Sequence, residues 1–253
     1  MSAPPTFHEL VAEGEAVPTE GWDFSWFVGR ATEERPSWGY SGLMGERMSH
    51  AAAALDIQTG GGEVLAQIPV PPPVLKATES WPPNVEVARR NLRSLGATIV
   101  ELADAADLPF AAESFDLVVS RHPVLTRWDE IARVLRPGGT FLSQQVGAGS
   151  VRELTDFMMG PQTVSDRRSP KVAARAAEAA GLVVVDLRSE SLRMTFHDVG
   201  AVVHFLRKVI WTVPGFTVAA YRDRLAALHA RIETEGVFVA HSQRFLIEAC
   251  QSA

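Results

Sequence analysis

The chain has 253 residues, of which 46% are hydrophobic and 21% are charged. This length and composition predict one sizeable core, and we expect a single α/β domain over residues 1–253. The formal net charge of -6 argues against the broad basic face that nucleic-acid binding usually requires. No apolar run reaches the roughly 20 residues of a membrane helix, and the start of the chain lacks the pattern of a secretory signal. We therefore expect a cytoplasmic protein without a membrane partner.

The segment 1–49 is predicted to form an irregular N-terminal cover, because its aromatic residues stand among glycines and prolines. Two of them, Trp38 and Tyr40, are candidate substrate-binding residues, since such rings can close over a ligand and exclude water. The alternative for both is a place in the hydrophobic core.

Strand-like and helix-like segments alternate over residues 50–146, which predicts a parallel sheet with helices on its faces. With two later segments there are seven candidate strands. They are Ala53–Ile57, Val74–Thr78, Thr98–Leu102, Phe115–Ser120, Thr140–Val146, Val183–Leu187 and Phe245–Ala249. The predicted helices here are Val85–Leu95, Asp129–Leu135 and one that begins near Val64. We expect a doubly wound, Rossmann-like sheet with 50–146 as its cofactor-binding core.

The pattern loosens over residues 147–253, which we interpret as the remainder of the sheet with cap insertions. Predicted helices in this part are Val151–Met159, Lys171–Ala180 and Val199–Val213. His197 and His204 lie in the predicted cap and are further candidate substrate-binding residues.

A glycine-rich turn follows the first strand of the predicted core, at Gly60-Gly61-Gly62. Such a turn brings the backbone close to a nucleotide, although a plain tight turn that binds nothing has the same sequence. Glu79 ends the next strand, where a carboxylate can accept ribose hydroxyl hydrogen bonds. A dinucleotide fingerprint would need glycine where Leu65 stands, and Glu63 at the start of the next helix favours a cationic ligand over a pyrophosphate.

Three further segments follow in order. They are Asp104-Ala105-Ala106-Asp107-Leu108-Pro109-Phe110, Ser114-Phe115-Asp116, and the helix ending in Arg136-Pro137-Gly138-Gly139. With the glycine turn and Glu79, they resemble the class I methyltransferases that use S-adenosylmethionine. The resemblance covers about residues 51–146 and implies the doubly wound fold, this cofactor and methyl transfer.

The resemblance also implies a set of cofactor-binding residues. They are Asp56, Gln58, Gly60, Gly62, Glu79, Trp81, Asp104, Ala105, Ser120 and Arg121. By this resemblance Asp56 would orient the glycine turn near the methionine amino group, Glu79 would hold the ribose, and Asp104 would accept from the adenine amine. Gln58 departs from the family, which usually has glycine there, so its side chain either narrows the methionine pocket or bonds the cofactor.

Methyl transfer is an in-line displacement that depends mainly on positioning, but an acceptor atom can need a proton removed. His122 follows the strand that opens beneath the methyl group, so it is the candidate catalytic base; the alternative is that it only shapes the loop before Pro123. No group of His and carboxylate residues has metal-ligand spacing, so no metal is expected.

The predicted function is therefore methyl transfer to an oxygen, nitrogen or carbon atom of a small molecule. Two alternatives stay open: an RNA nucleobase methyltransferase, and a catalytically silent methyltransferase-like binding module. The oligomeric state is open as well, a homodimer included.

Overall fold

The computed structural model describes residues 4–21 and 23–252, so residues 1–3 and 22 of the predicted cover lie outside it. The chain divides into two compact units. The first comprises residues 1–35, 149–165 and 191–243, and the second comprises 36–148, 166–190 and 244–253. The single-domain interpretation stays a prediction.

Within the described residues the chain has eight strands and eight α-helices. The strands are β1 (Ala31–Glu33), β2 (Ala53–Asp56), β3 (Val74–Glu79), β4 (Thr98–Glu101), β5 (Phe115–Arg121), β6 (Leu135–Val146), β7 (Leu182–Phe196) and β8 (Phe238–Gln251). The helices are α1 (Phe7–Ala16), α2 (Tyr40–His50), α3 (Pro82–Asn91), α4 (Trp128–Val134), α5 (Arg152–Met159), α6 (Pro170–Ala179), α7 (Val199–Lys208) and α8 (Arg222–Glu235).

The second unit carries the doubly wound sheet, in the order β7-β8-β6-β5-β2-β3-β4. β3 and β5 flank β2, and β4 and β6 lie beyond them, all in parallel pairs, whereas β8 pairs with β6 in the antiparallel sense. The chain therefore winds outward in opposite directions from β2, and β2 and β5 meet at a topological switch point. Ligands of such sheets bind at the carboxyl ends of the strands beside this point.

Alternating side chains of these strands pack against helices on both faces of the sheet. On one face, Ala54, Val119 and Leu142 join a core that includes Met44 of α2 and Leu92 beyond α3. The opposite face has its own core, whose members include Leu55, Val118, Phe141, Ile131 of α4 and Ala177 of α6. Burial on both faces explains the near-continuous apolar runs of β2 and β5.

Three expectations are wrong. The sheet strands number eight rather than seven, because β1 pairs with β7 within the first unit. The segment 1–49 contains α1 and α2 rather than irregular chain; a capping box in which Thr6 and Glu9 satisfy each other's backbone N–H groups starts α1. The predicted helix near Val64 is only a 3-10 turn at Leu65–Gln67, since a run of prolines follows it.

The first unit has a hydrophobic core of its own, formed by α1, α5, α7, α8 and the adjoining parts of β7 and β8. Helices α1 and α7 cross closely: a Cβ at Gly14 would lie 2.4 Å from the carbonyl oxygen of Gly200. None of the helices within the described residues is long and apolar enough to cross a membrane.

Candidate active site

The glycine turn after β2 has a backbone conformation that suits glycine. Gln58, Gly60 and Gly62 have positive φ angles of 58°, 65° and 75°, which glycine adopts without steric penalty and other residues adopt at a cost. A Cβ at Gly62 would lie 2.8 Å from the Leu92 side chain, so glycine alone fits there. The turn therefore bends sharply at the carboxyl end of β2.

Glu79 at the end of β3 is bonded to this turn. Its carboxylate is buried and accepts hydrogen bonds from the backbone N–H of Gly60 at 2.8 Å and of Trp81 at 3.0 Å. Each carboxylate oxygen has a further lone pair, so both remain able to accept a hydroxyl hydrogen. The Trp81 side chain is 44% exposed and is not packed into the core.

Asp56 and Tyr40 form a buried polar pair near the same end of β2. Burial raises the pKa of Asp56 to about 7, against the lowering effect of the Thr59 hydroxyl, which donates to its carboxylate at 2.7 Å. Burial also raises the pKa of Tyr40 well above its usual range, and the charge of Asp56 adds to this. The Tyr40 hydroxyl is buried and has no hydrogen-bond partner among the described residues, although the Ser120 backbone lies beside it. The hydrogen-bonding capacity of this pair is therefore not fully used, because the Tyr40 hydroxyl has no acceptor among the described residues.

A cleft of about 440 Å³ opens at the carboxyl ends of β2 to β5. Polar residues on its walls include Gln58, Thr78, Asp104, Ser120 and Arg127. This volume includes space open to solvent, and the position of the cleft is the one that the switch point of the sheet predicts.

Gln58 crosses part of this cleft. Its side-chain amide donates to the carbonyl oxygen of Leu125 and accepts from the backbone N–H of Val124, both at 2.6 Å. Two short bonds to consecutive backbone groups fix both ends of the amide. We call this contact the Gln58 strap, because it joins the turn after β2 to the loop after β5.

Arg127 also lines the cleft and holds the loop that follows β4. Its guanidinium donates to the carbonyl oxygen of Ala105 at 2.5 Å and to the carboxylates of Asp107 and Asp129 at 3.1 and 2.9 Å. The hydrogen bonds to these two carboxylates raise the pKa of Arg127 above its usual value, and the bond to Asp129 has the larger effect. The loop carrying Asp104 is thereby fixed at the rim of the cleft.

His122 follows β5 in a left-handed conformation, with a φ of 57°. Its ring nitrogen Nε2 lies 2.9 Å from the amide nitrogen of Gln144, and its backbone N–H donates to the Gln144 carbonyl at 2.7 Å. Burial lowers the pKa of His122 well below its usual value, and Arg121 and Arg244 lower it further. The ring is therefore neutral near pH 7.

Residues 55–143, which contain the turn, Glu79 and most of the cleft, match the family model of the methyltransferase domain. This match identifies a methyltransferase domain in the chain, which is similar to the class I methyltransferases that use S-adenosylmethionine. A comparison with curated proteins found no match.

Solved structures share the methyltransferase fold at low sequence identity. The YcgJ protein of Bacillus subtilis is 18% identical, with 85% of this chain and 98% of that chain covered and a TM-score of 0.56. Phosphoethanolamine N-methyltransferase 2 of Haemonchus contortus, solved with phosphomonomethylethanolamine and S-adenosylhomocysteine, is 15% identical, with 85% and 53% covered and a TM-score of 0.51. The cyclase SpnF is 16% identical, with 96% and 91% covered and a TM-score of 0.51. These likenesses show the fold.

The methyltransferase fold brings most of the predicted cofactor residues to the carboxyl edge of the sheet. Gln58, Asp104 and Ser120 line the cleft. Asp56 and Glu79 are buried beside the glycine turn, and the Ser120 hydroxyl donates to the Ile57 carbonyl at 2.9 Å. Arg121 is exposed at the end of β5 and acts electrostatically on Asp56. Their roles toward a cofactor stay predictions.

The predicted substrate residues of this methyltransferase divide between the two units. Trp38 and Tyr40 are buried in the second unit. In the first unit, His197 lies 3.3 Å from the Thr195 hydroxyl, whereas His204 is buried with its ring 5.1 Å from that of Trp26. Burial lowers the pKa of His204 to about 4. Within its own unit, His204 is thus a neutral core residue.

Sequence reasoning missed three residues that shape the methyltransferase site: Thr78, Arg127 and Gln144. Thr78 accepts from the Gln58 backbone N–H at 3.2 Å, and the other two make the contacts described above. Each is an ordinary residue in a strand or loop, so its local sequence gives no signal; only strand pairing and loop packing reveal its partners.

Among the described residues, no group of three or more His, Cys, Asp or Glu side chains could hold a metal ion.

Proposed function

We propose that this methyltransferase binds S-adenosylmethionine at the carboxyl edge of β2 to β5 and transfers its methyl group to a small molecule. The observation that carries the proposal is the open cleft of about 440 Å³ beside the family's glycine turn. Glu79 would hold the ribose and Asp104 the adenine amine, as the family resemblance implies. Beside its backbone hydrogen bonds the Glu79 carboxylate keeps lone pairs that can accept from hydroxyl groups, and Asp104 lies on the cleft wall; both observations support these roles.

The amino-acid end of the cofactor would lie against Asp56 and Tyr40. Burial, with the negative charge of Glu79 added, holds the pKa of Asp56 at about 7 although the charge of Arg121 and the Thr59 hydroxyl lower it, so the ionised form is only partly stabilised. An ammonium group would add the positive charge that completes this stabilisation. The unpartnered Tyr40 hydroxyl could donate to the carboxylate of the same ligand. Together the two side chains offer one acceptor and one donor to an amino-acid group.

This assignment predicts a pH dependence of cofactor binding. An ammonium ligand binds the ionised form of Asp56, and the fraction ionised rises as the pH increases through about 7. Because the ionised fraction rises about tenfold between pH 6 and pH 8, we expect the affinity for S-adenosylmethionine to rise by up to about tenfold over this range. Isothermal titration calorimetry at both values measures it.

The Asp56→Asn variant should bind more weakly at both pH values and lose most of this dependence. Tyr40→Phe, which keeps the ring in the core, should bind more weakly yet retain the dependence. A wild-type affinity that is constant over this range would refute the contact with Asp56.

The Gln58 strap gives a second prediction, because the methionine part of the cofactor would have to displace this side chain. Gln58→Gly removes two hydrogen bonds and relieves the left-handed strain at φ 58°. We expect about tenfold tighter cofactor binding with little change in melting temperature, since each neutral bond contributes about 1 kcal/mol and the relieved strain is similar. Calorimetry measures the affinity, and amide hydrogen exchange at Val124 should become faster.

Gln58→Ala is the matched variant, because it removes the strap but keeps a side chain at the strained position. It should match the glycine variant in affinity and be less stable. Weaker binding by both variants would mean that Gln58 bonds the cofactor directly, which is one of the two alternatives that the sequence leaves open.

The acceptor is proposed to be a small molecule because the net charge of -6 disfavours a nucleic-acid backbone. Radiolabelled methyl transfer to pooled metabolites, with RNA in a parallel reaction, tests this choice. Label in the RNA alone would establish the nucleobase alternative.

The silent binding module has a specific observation behind it, the Gln58 strap across the cleft. Failure of both wild type and Gln58→Gly to bind S-adenosylmethionine would favour it.

A further inference from the structure

Trp38, Gln144 and His122 form a hydrogen-bonded chain in the second unit, and the chemistry of its first member fixes the direction of every bond. The indole Nε1 of Trp38 lies 2.8 Å from the side-chain oxygen of Gln144, and both residues are buried. An indole N–H can only donate. The amide oxygen of Gln144 must therefore face Trp38, and the amide nitrogen must face the other way.

The amide nitrogen of Gln144 lies 2.9 Å from Nε2 of His122. Because an amide nitrogen donates and has no lone pair to accept with, Nε2 of the imidazole must be the acceptor. A neutral imidazole carries one proton, so that proton is on Nδ1. The lone pair that a general base would use is already occupied.

The backbone keeps this pairing in register. Arg121 and Gln144 are paired across β5 and β6, and the His122 N–H donates to the Gln144 carbonyl at 2.7 Å. Gln144 is thus bonded to His122 through both its main chain and its side chain. A flip of the Gln144 amide would break the bond to Trp38, and a rotation of the His122 ring would break the bond to Gln144.

The charged groups around the ring act in the same direction. Among the described residues, Arg121 from β5 and Arg244 from β8 raise the positive potential at His122, while β6 contributes the neutral Gln144. Protonation of Nε2 would also place a donor against the donor of Gln144. The surroundings therefore oppose the imidazolium form that a base must reach.

We propose that Trp38 and Gln144 are positioning residues that hold His122 as the neutral Nδ1–H tautomer, so that His122 serves the reaction as a hydrogen-bond donor rather than as a base. The part that concerns the reaction rests on the proposed function; the tautomer does not. In this proposal His122 is a donor, whereas the sequence interpretation makes it the candidate base.

Nitrogen-15 NMR of the histidine side chains tests the proposal in the ligand-free protein, with the His122 signal assigned from its loss in His122→Asn. In the wild type we expect a proton on Nδ1 alone, unchanged from about pH 8 to about pH 6. Gln144→Glu replaces the donor by an acceptor. Its His122 should carry a proton on Nε2 and titrate within that range, because a carboxylate stabilises the imidazolium.

Trp38→Phe keeps the aromatic packing but removes the indole donor, so the Gln144 amide can turn and both tautomers should appear. Gln145→Glu, at the next position of β6, is the control and should leave the His122 signal unchanged. A wild-type ring protonated on Nε2, or one that gains a proton between about pH 8 and pH 6, would overturn the proposal.

The same variants separate this proposal from the proposed function. If the wild type shows the Nδ1–H signal but binds no S-adenosylmethionine, the proposed function fails and the tautomer stands. With an active enzyme, the methyl-transfer rate of the wild type should show no step near the usual pKa of histidine, and Gln144→Glu should introduce one. A histidine step in the wild-type profile that disappears in His122→Asn would restore the role of base.

Discussion

Glu79→Gln is expected to weaken S-adenosylmethionine binding about 100-fold. The carboxylate already accepts from the backbone N–H groups of Gly60 and Trp81, and its remaining lone pairs would accept two ribose hydroxyls. In the variant, the amide nitrogen would face an N–H donor on one side and offer no lone pair to the ribose. Hydrogen bonds to a charged group contribute about 1.5 to 3 kcal/mol each; the variant loses one such bond and leaves the other as a weaker neutral bond, which together give a change of about this size.

Glu101→Gln is the matched control for this experiment. Glu101 ends β4, is paired in register with Glu79, and is exposed. Calorimetric titration of both variants should show a loss of affinity only for Glu79→Gln, with thermal unfolding as the check on the fold. Equal affinities of wild type and Glu79→Gln would show that the ribose lies elsewhere, and the proposed cofactor site would have to be abandoned.

The central strands could be predicted from the sequence because they are buried on both faces. Such strands appear as short apolar runs bounded by glycine, proline or acid, and the segments predicted for β2, β3 and β5 coincide closely with the observed ones. Their order along the chain, with helices between, leaves few arrangements other than a doubly wound sheet. Local pattern and global fold agree in this part of the chain.

The helices before β2 were missed because their stability comes from packing rather than from local sequence. Helix α1 contains Gly14, which is unfavourable in an isolated helix but lets the backbone approach Gly200 of α7. Helix α2 begins after Gly39, which has a left-handed φ of 58° and offers no side-chain cap. Contacts between residues so far apart along the chain cannot be recognised in a short window of sequence.

The candidate site was predictable where its residues belong to one motif and not where they are brought together by strand pairing. The positive φ angles of Gly60 and Gly62 follow from the glycine turn itself. The partner of Gln58, by contrast, lies 66 or 67 positions further along the chain, and Trp38 lies 106 positions before Gln144. No spacing rule links residues so far apart, so the strap and the orientation of His122 emerge only from the folded chain.

The second large effect is expected on stability, at Glu130 in α4. Its buried carboxylate accepts from the Leu108 backbone N–H at 2.6 Å and from two nitrogens of Arg133 at 2.6 and 2.7 Å. Arg133 in turn donates to the carbonyl oxygens of Leu108 and Phe110 at 2.9 and 2.8 Å. This network fixes the Leu108–Phe110 segment beside the cleft, so Glu130→Gln should lower the free energy of unfolding by about 2 to 3 kcal/mol.

The bond to Arg133 lowers the pKa of Glu130 below its usual value of 4.5. A carboxyl group whose pKa is lower in the folded than in the unfolded state stabilises the fold above the unfolded value, and that contribution is lost as the pH falls through the folded value. The difference in the free energy of unfolding between wild type and Glu130→Gln should therefore be largest near pH 7 and become smaller toward about pH 3. Urea unfolding at both values measures it. The control is Asp129→Asn, since Asp129 is exposed and paired with Arg127, and it should cost less than about 1 kcal/mol. A Glu130→Gln protein as stable as the wild type near pH 7 would contradict the claim that this pair holds the loop in place.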